Sequence, residues 1–263
     1  MAARYGAAIS PIDLPRLHRM NTGHEARLLE LWEAGLPATP SWRPARLLAA
    51  QGSGLGAVPI EQVPIGVRDA ALLDLREDLF GSRLDCVVDC PQCRTSLEFG
   101  FDVGALRVPT GTESASEVVV TQGAVTVHCR LPNTADLAEL DATASSEERV
   151  QRLLRRCVVA VDRGGQSLET DHLPASMIPS IGAAMAAADP QADVRLQLEC
   201  PDCGFQWPAA FDIGAFLWAE LSARAARLLR EVHELAQAYG WSEREILSLT
   251  PLRRQTYLEM VRA

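Results

Sequence analysis

Apolar positions along this chain switch between helical and strand spacing, and each switch marks a predicted element. From His24 to Leu36, the residues Leu28, Leu29, Leu31 and Trp32 recur on one helical stripe, with Gly35 as a stop near its end. Ser41-Trp42-Arg43-Pro44 reads as a second helix start, continued by Ala45 to Ala50, and Gly52-Ser53-Gly54-Leu55-Gly56 reads as a loop. Ile65 to Leu79 predicts an amphipathic helix with Val67, Ala70, Ala71, Leu72, Leu75 and Leu79 facing inward and Gly81 ending it. At Arg83 the period falls to two. Leu84, Cys86 and Val88 alternate with Arg83, Asp85 and Asp89, and Leu97, Phe99 and Phe101 repeat the pattern, which predicts a β-hairpin. A second hairpin is predicted over Glu117 to Leu131, where two valine-rich runs flank Gln122-Gly123.

Helical spacing then returns. Asn133 or Thr134 caps Ala135 to Leu140, and Ser145-Ser146-Glu147-Glu148 starts a stronger helix. That helix carries Val150, Leu153, Leu154, Cys157 and Val158 on one side and is expected to end at Gly164-Gly165. Pro174 to Ala188 predicts a further helix, stopped by Asp189-Pro190. Val194, Leu196 and Leu198 alternate as a strand, as do Phe205, Trp207 and Ala209. Asp212 is placed to cap a long helix from Ile213 to Tyr239, ended by Gly240. Ser242-Glu243-Arg244-Glu245 caps a short helix to Leu249, and Pro251 opens the last one, with Leu252, Tyr257, Leu258 and Val261 as its expected apolar face.

Two Cys-Pro-x-Cys turns interrupt the strand signals, Cys90-Pro91-Gln92-Cys93 and Cys200-Pro201-Asp202-Cys203. The likeness extends beyond the cysteines: Phe101-Asp102-Val103-Gly104-Ala105-Leu106 matches Phe211-Asp212-Ile213-Gly214-Ala215-Phe216, displaced equally and without a gap. Four thiolates in two such pairs are the ligand set of a closed, tetrahedral, structural zinc site, with no open coordination position for chemistry. Tetrahedral sulfur cages also accept iron. The alternative, a redox Cys-x-x-Cys, sits at a helix start after a strand and needs only one copy; here strands flank both copies. Cys86 is either an additional ligand or a core residue, Cys157 fits a buried stripe, and Cys129 and His128 point to opposite faces of their strand.

Composition narrows the function. The chain has 263 residues, 48% hydrophobic, which fits one large or two small globular domains. No apolar run of membrane-spanning length occurs and Met1 to Leu14 lacks the pattern of a secretory signal, so no membrane association is expected. Seven cysteines, four of them in close pairs, fit a reducing cytoplasm better than a disulfide framework. The net charge of −9 argues against nucleic acid. All 25 basic residues are arginine, which suggests a GC-rich bacterial genome and excludes P-loop and Schiff-base lysines. His233-Glu234 begins like a zinc-protease helix, but Gln237 stands where the second histidine is required. His18, His24 and His172 complete the histidines, and no G-x-S-x-G elbow occurs. Paired carboxylates such as Glu147-Glu148 and Glu243-Glu245 sit at helix starts, where capping explains them. No catalytic constellation and no small-molecule site is expected. Trp207, Trp218, Tyr239, Trp241 and Tyr257 read as core, with Trp241 a candidate anchor for a partner.

The C-terminal stretch Phe216-Leu217-Trp218, Leu228 to His233, Ala238-Tyr239-Gly240-Trp241-Ser242, Glu245-Ile246-Leu247 and Arg253 to Leu258 resembles small proteins of phage tail assembly. With the two knuckles and Asp189-Pro190-Gln191-Ala192-Asp193, the chain over residues 60–263 is similar to the T-even-type phage baseplate (hub) assembly protein family. The likeness is to its zinc-knuckle relatives from gene clusters for contractile injection systems. It implies an assembly factor or minor baseplate component whose partners are baseplate or hub subunits, and it carries over no catalytic residue.

The expected fold is α+β, with helical lobes around a four-cysteine zinc ribbon split by a long insertion. Its parts are an N-terminal helical arm (1–82), two ribbon halves (83–107 and 194–212), an insertion with a hairpin and helices (108–193) and a C-terminal helical module (213–263). Structural zinc on Cys90, Cys93, Cys200 and Cys203 would fix both ends of the insertion, contributing on the order of 10 kcal/mol. The expected function is a non-enzymatic interaction module. A zinc-ribbon nucleic-acid adaptor is the main rival, and a thiol-redox enzyme a further one.

Overall fold

The computed structural model describes residues 8–12, 23–52, 58–108, 117–140, 144–169 and 173–262. The glycine-rich stretch after Gly52, His18 and His172 lie outside these residues. A short strand β1 (Ser10–Pro11) precedes helices α1 (His24–Gly35), α2 (Arg43–Gln51) and α3 (Ile65–Phe80). A hairpin of β2 (Arg83–Asp89) and β3 (Ser96–Asp102) follows, and β1 adds to β2. Next is an antiparallel sheet of β4 (Glu117–Gln122), β5 (Val125–Arg130), β6 (Val158–Arg163) and β7 (Gln166–Leu168). Helices α4 (Thr134–Ala138) and α5 (Ser146–Cys157) connect its second and third strands. Helix α6 (Ile178–Ala188) leads to a second hairpin, β8 (Arg195–Glu199) with β9 (Gln206–Ala210). Three helices complete the order, α7 (Ile213–Tyr239), α8 (Glu243–Ser248) and α9 (Pro251–Arg262). The architecture is α+β.

Hydrophobic residues gather in three clusters among the described residues. The largest joins α1, α2, α3, both Cys-x-x-Cys hairpins and α7 as far as Leu228. A second lies between Val118 and Met185, where the sheet packs on α5 and α6. A third is small, Leu235, Ile246 and Leu258, with Trp241 and Tyr257 against it. Local signals set the helix ends. Asp212 accepts from Ala215 N at the start of α7, and capping boxes at Asn133, Ser145 and Ser242 start α4, α5 and α8.

Three expectations change. Helix α5 stops at Cys157, and Val158–Arg163 is strand β6. The β-branched run Val158-Val159-Ala160-Val161 suits a pleated sheet better than a helix. Gly164-Gly165, with φ of 58° and 85°, is the tight turn into β7 and not a helix stop. On α9, Leu252 is 68% exposed and the buried residues are Arg254 and Leu258. The Arg254 guanidinium grips Glu25 of α1 through both terminal nitrogens (2.5 and 2.6 Å) and Glu231 of α7 through Nε (2.6 Å). Helix α3 buries Leu73, Arg68 and Arg76 while Val67, Ala70 and Ala71 are only half-buried, because Arg76 forks onto Glu220 of α7 at 2.8 and 2.9 Å.

Polar joints seat the second cluster on the first. Ile65 N donates to Pro132 O (3.1 Å) and Arg68 Nη1 to Thr134 Oγ1 (3.1 Å). Asp189 accepts from Gly66 N (2.9 Å), so a carboxylate 123 residues away occupies the start of α3, where Pro64 has no side-chain cap to offer. A Cβ at position 66 would collide with that carboxylate. Gln191 donates to Leu106 O (3.1 Å) and accepts from Val108 N (2.8 Å), which ties the two ends of the 108–193 segment together.

Asp69 lies at this junction. Burial pushes its pKa up to about 6, opposed by the coulombic pull and hydrogen bond of Arg68, with Asp212 and Asp189 adding to the rise. A folded-state pKa above the unfolded 3.8 means stability that is complete below about pH 3.8 and lost as pH rises through about 6. Asp69→Asn should therefore gain roughly 2–3 kcal/mol on the wild type across this window, acid to alkaline. Urea denaturation over a pH series measures it, and parallel stability curves for the two proteins would refute it.

Candidate metal centre

Each hairpin presents its cysteines from the same backbone turn. Cys90 N donates to Thr95 O and Arg94 N to Cys90 O, both at 2.9 Å. In the second copy Cys200 N donates to Phe205 O and Gly204 N to Cys200 O, again at 2.9 Å. The strands are bridged alike just outside the turn, Ser96 to Asp89 and Gln206 to Glu199. The turn needs a left-handed residue after its second cysteine. Gly204 supplies it at φ 68°, and Arg94 holds the matching position at φ 67°, the only non-glycine with positive φ among the described residues.

The four predicted ligands come together. Sγ of Cys90 lies 3.7 Å from that of Cys203, and Sγ of Cys93 lies 3.6 Å from that of Cys200. All four sulfurs fall within 4.8 Å of one another, the one group of this kind among the described residues. Zinc–thiolate bonds of about 2.3 Å in a tetrahedron place sulfurs about 3.8 Å apart, so the cage has the size that such an ion needs. A disulfide needs about 2.05 Å, and all seven cysteines are free. Cys90 and Cys200 belong to the main hydrophobic cluster, while Cys93 and Cys203 face solvent.

The charge of the cage asks for a cation. The Thr95 hydroxyl and amide lower Cys93 to about 6, so one thiolate forms readily. At Cys203 the Phe205 amide also favours the thiolate, but desolvation and the neighbouring sulfurs of Cys93, Cys200 and Cys90 outweigh it and raise the pKa to about 12. Four negative charges do not coexist here without compensation, which a divalent ion could supply while displacing protons.

Other candidates are placed elsewhere. Cys86, Cys129 and Cys157 are buried in the apolar clusters and lie outside the sulfur group. His128 is bonded to Glu117 at 3.1 Å on the sheet face opposite the buried Cys129, and His24 to Leu79 O at 3.1 Å. Trp207 is buried and stacks with Phe205, beside the second turn. Tyr239, Trp241 and Tyr257 pack as one aromatic group with ring centroids 4.6 to 5.6 Å apart. Sequence reasoning missed Thr95, which bonds Cys93 at 3.4 Å, and the strained Arg94. The register of the two copies held the signal for Arg94, since its counterpart is glycine.

The family described as T4 bacteriophage base plate protein matches residues 55–218. The chain belongs to this family. The matched stretch of this baseplate-family chain holds α3, both hairpins, the whole segment between them and the start of α7. The C-terminal motifs after Trp218 lie outside it. No curated protein and no solved structure matches the chain.

Left-handed backbone costs about 1 kcal/mol or more for a residue with a Cβ. Because Arg94 is exposed, Arg94→Gly should be neutral or stabilising by up to about 1 kcal/mol, while Gly204→Ala should lose about 1–2 kcal/mol. Thermal denaturation of the two variants decides this; a clear loss of stability in Arg94→Gly would show that its side chain matters in another way.

Proposed function

We propose that this baseplate-family chain is a non-enzymatic, zinc-stabilised interaction module. It serves as an assembly factor or minor baseplate component of a phage-tail-like contractile injection system, working in the bacterial cytoplasm. The observation that carries the reading is the family match, which encloses both cysteine hairpins and everything between them. The residues fit a closed metal site: four thiols within 4.8 Å of one another, two of them in the core. Zinc held by Cys90, Cys93, Cys200 and Cys203 would supply a fixed divalent charge and no reactive position. Among the described residues no helix is long and apolar enough to cross a membrane.

On this reading residues 83–107 and 194–212 form the clamp, and residues 108–193 form a lobe whose two ends it holds. Residues 1–82 and 213–263 flank the clamp, the latter carrying the aromatic group of Tyr239, Trp241 and Tyr257. Aromatic residues dominate the binding energy of protein interfaces, so this end is where baseplate or hub subunits would dock.

Metal analysis of the purified protein should find one zinc per chain. Chelation in mildly acidic buffer should then lower Tm by at least about 10 °C, because loss of the clamp removes several kcal/mol and each kcal/mol moves Tm by about 2–4 °C at this size. A metal-free chain with unchanged Tm would dismiss the clamp. For the partner, a tagged chain should be captured from cells that express the complete tail gene set. Co-elution of a baseplate or hub subunit is expected, and its absence under gentle conditions would count against the assembly role.

A further inference from the structure

The four sulfurs differ in their access to solvent. Cys90 and Cys200 are buried at 0% exposure, whereas Cys93 and Cys203 are exposed. Each exposed sulfur sits beside the buried sulfur of the other hairpin: Cys93 faces Cys200 at 3.6 Å, and Cys203 faces Cys90 at 3.7 Å. The remaining thiols are shielded. Cys86, Cys129 and Cys157 are each at 0% exposure inside the apolar clusters, out of reach of a peroxide in solvent.

We infer that Cys93 and Cys203 are the points at which a peroxide attacks this chain, and that oxidation joins the two hairpins through Cys93–Cys200 and Cys90–Cys203 disulfides. At each exposed position the sulfur attacks the peroxide O–O bond, keeps one oxygen as a sulfenic acid and releases the other as hydroxide. The buried thiolate of the opposite hairpin then attacks the sulfenyl sulfur, forms the S–S bond and expels the second hydroxide. Two protons from solvent convert the hydroxides to water. Two electrons pass from each sulfur pair to one peroxide, so two peroxides are consumed per chain. All four thiolates are lost as donors, and on the metal reading above, on which this part alone rests, the ion is released. The crossed pairing has a structural outcome. Disulfides within each Cys-x-x-Cys would leave the hairpins unconnected, whereas the crossed pair replaces the clamp with covalent bonds and keeps both ends of the 108–193 segment in place.

The arginine-only sequence makes the test direct. Trypsin cleavage after Arg83 and Arg94 places Cys90 and Cys93 on peptide 84–94, and cleavage after Arg195 and Arg224 places Cys200 and Cys203 on peptide 196–224. Purified full-length protein is treated with hydrogen peroxide, denatured, alkylated and digested without reduction. Mass spectrometry should find the two peptides linked, with fragmentation assigning Cys93–Cys200 and Cys90–Cys203 and with Cys86, Cys129 and Cys157 alkylated. A chromogenic chelator should record zinc release in step with the linked species, and thiol reductant should reverse both. Unlinked peptides bearing internal disulfides or sulfinic acids, or pairing in the uncrossed register, would overturn the inference. Crossed links in protein that never held stoichiometric metal would support it while refuting the metal reading.

Discussion

Convergence of four sulfurs is the constraint on which the rest of this molecule depends. It brings together hairpin tips separated by 113 and 107 residues of chain. Neither hairpin is a stable unit alone, and the second is only two strands wide. Each contributes one face to the main core: Leu84, Cys86 and Val88 from the first, Trp207 and Ala209 from the second. Phe101 meets Phe211 edge-on with centroids 6.3 Å apart, so the aromatic ends of the two copies touch as their cysteines do. Closing so long a loop carries a substantial entropic cost, and the cost grows only slowly with further length. A large insertion between the knuckles is therefore tolerated once the tips are joined.

Helices α1, α2, α3 and α7 share the main apolar core with the hairpins, whereas the insertion is seated on it by specific polar contacts. The insertion keeps its own core, and its attachment runs through Ile65 to Pro132, Arg68 to Thr134, and Asp189 and Gln191 to the body. Buried arginines perform the equivalent task for the terminal helices. Arg254 locks α9 to α1 and α7, and Arg76 locks α3 to α7. Charge pairs of this kind contribute little net stability against apolar substitutes, but an unpaired buried charge is strongly penalised. They therefore discriminate sharply between the observed packing and a shifted one.

Much of this was legible in the sequence because the signals were local or repeated. The duplicated Cys-Pro-x-Cys turns, and the matching Asp102 and Asp212 that follow them, disclosed both hairpins and the sulfur group together. Gly240 and the Ser242–Glu245 box marked the last helix boundaries. What stayed hidden depends on partners distant in sequence. Nothing near Arg254 announces that Glu25, 229 residues away, will draw it into the interior, so the helix face was assigned by its leucine and valine instead. Strand β6 was obscured because Val158 continues the helical stripe of α5 and the diglycine serves either as a stop or as a turn. The baseplate likeness was drawn from the C-terminal motifs together with the knuckles, whereas the family match covers residues 55–218 and the tyrosine and tryptophan motifs lie beyond it.

Helix α7 runs unbroken from its Asp212 cap, directly after the second knuckle, to the ring cluster at Tyr239. Its 27 residues make a rod about 40 Å long. Its first half is bolted into the main core, and its far end bears the small terminal one. Such a rod acts as a pointer: a tilt of about 5° at the sulfur end would swing the aromatic tip by roughly 3–4 Å over that length. The main core around its first half and the Arg254 clasp on Glu231 and Glu25 therefore set where the aromatic tip stands.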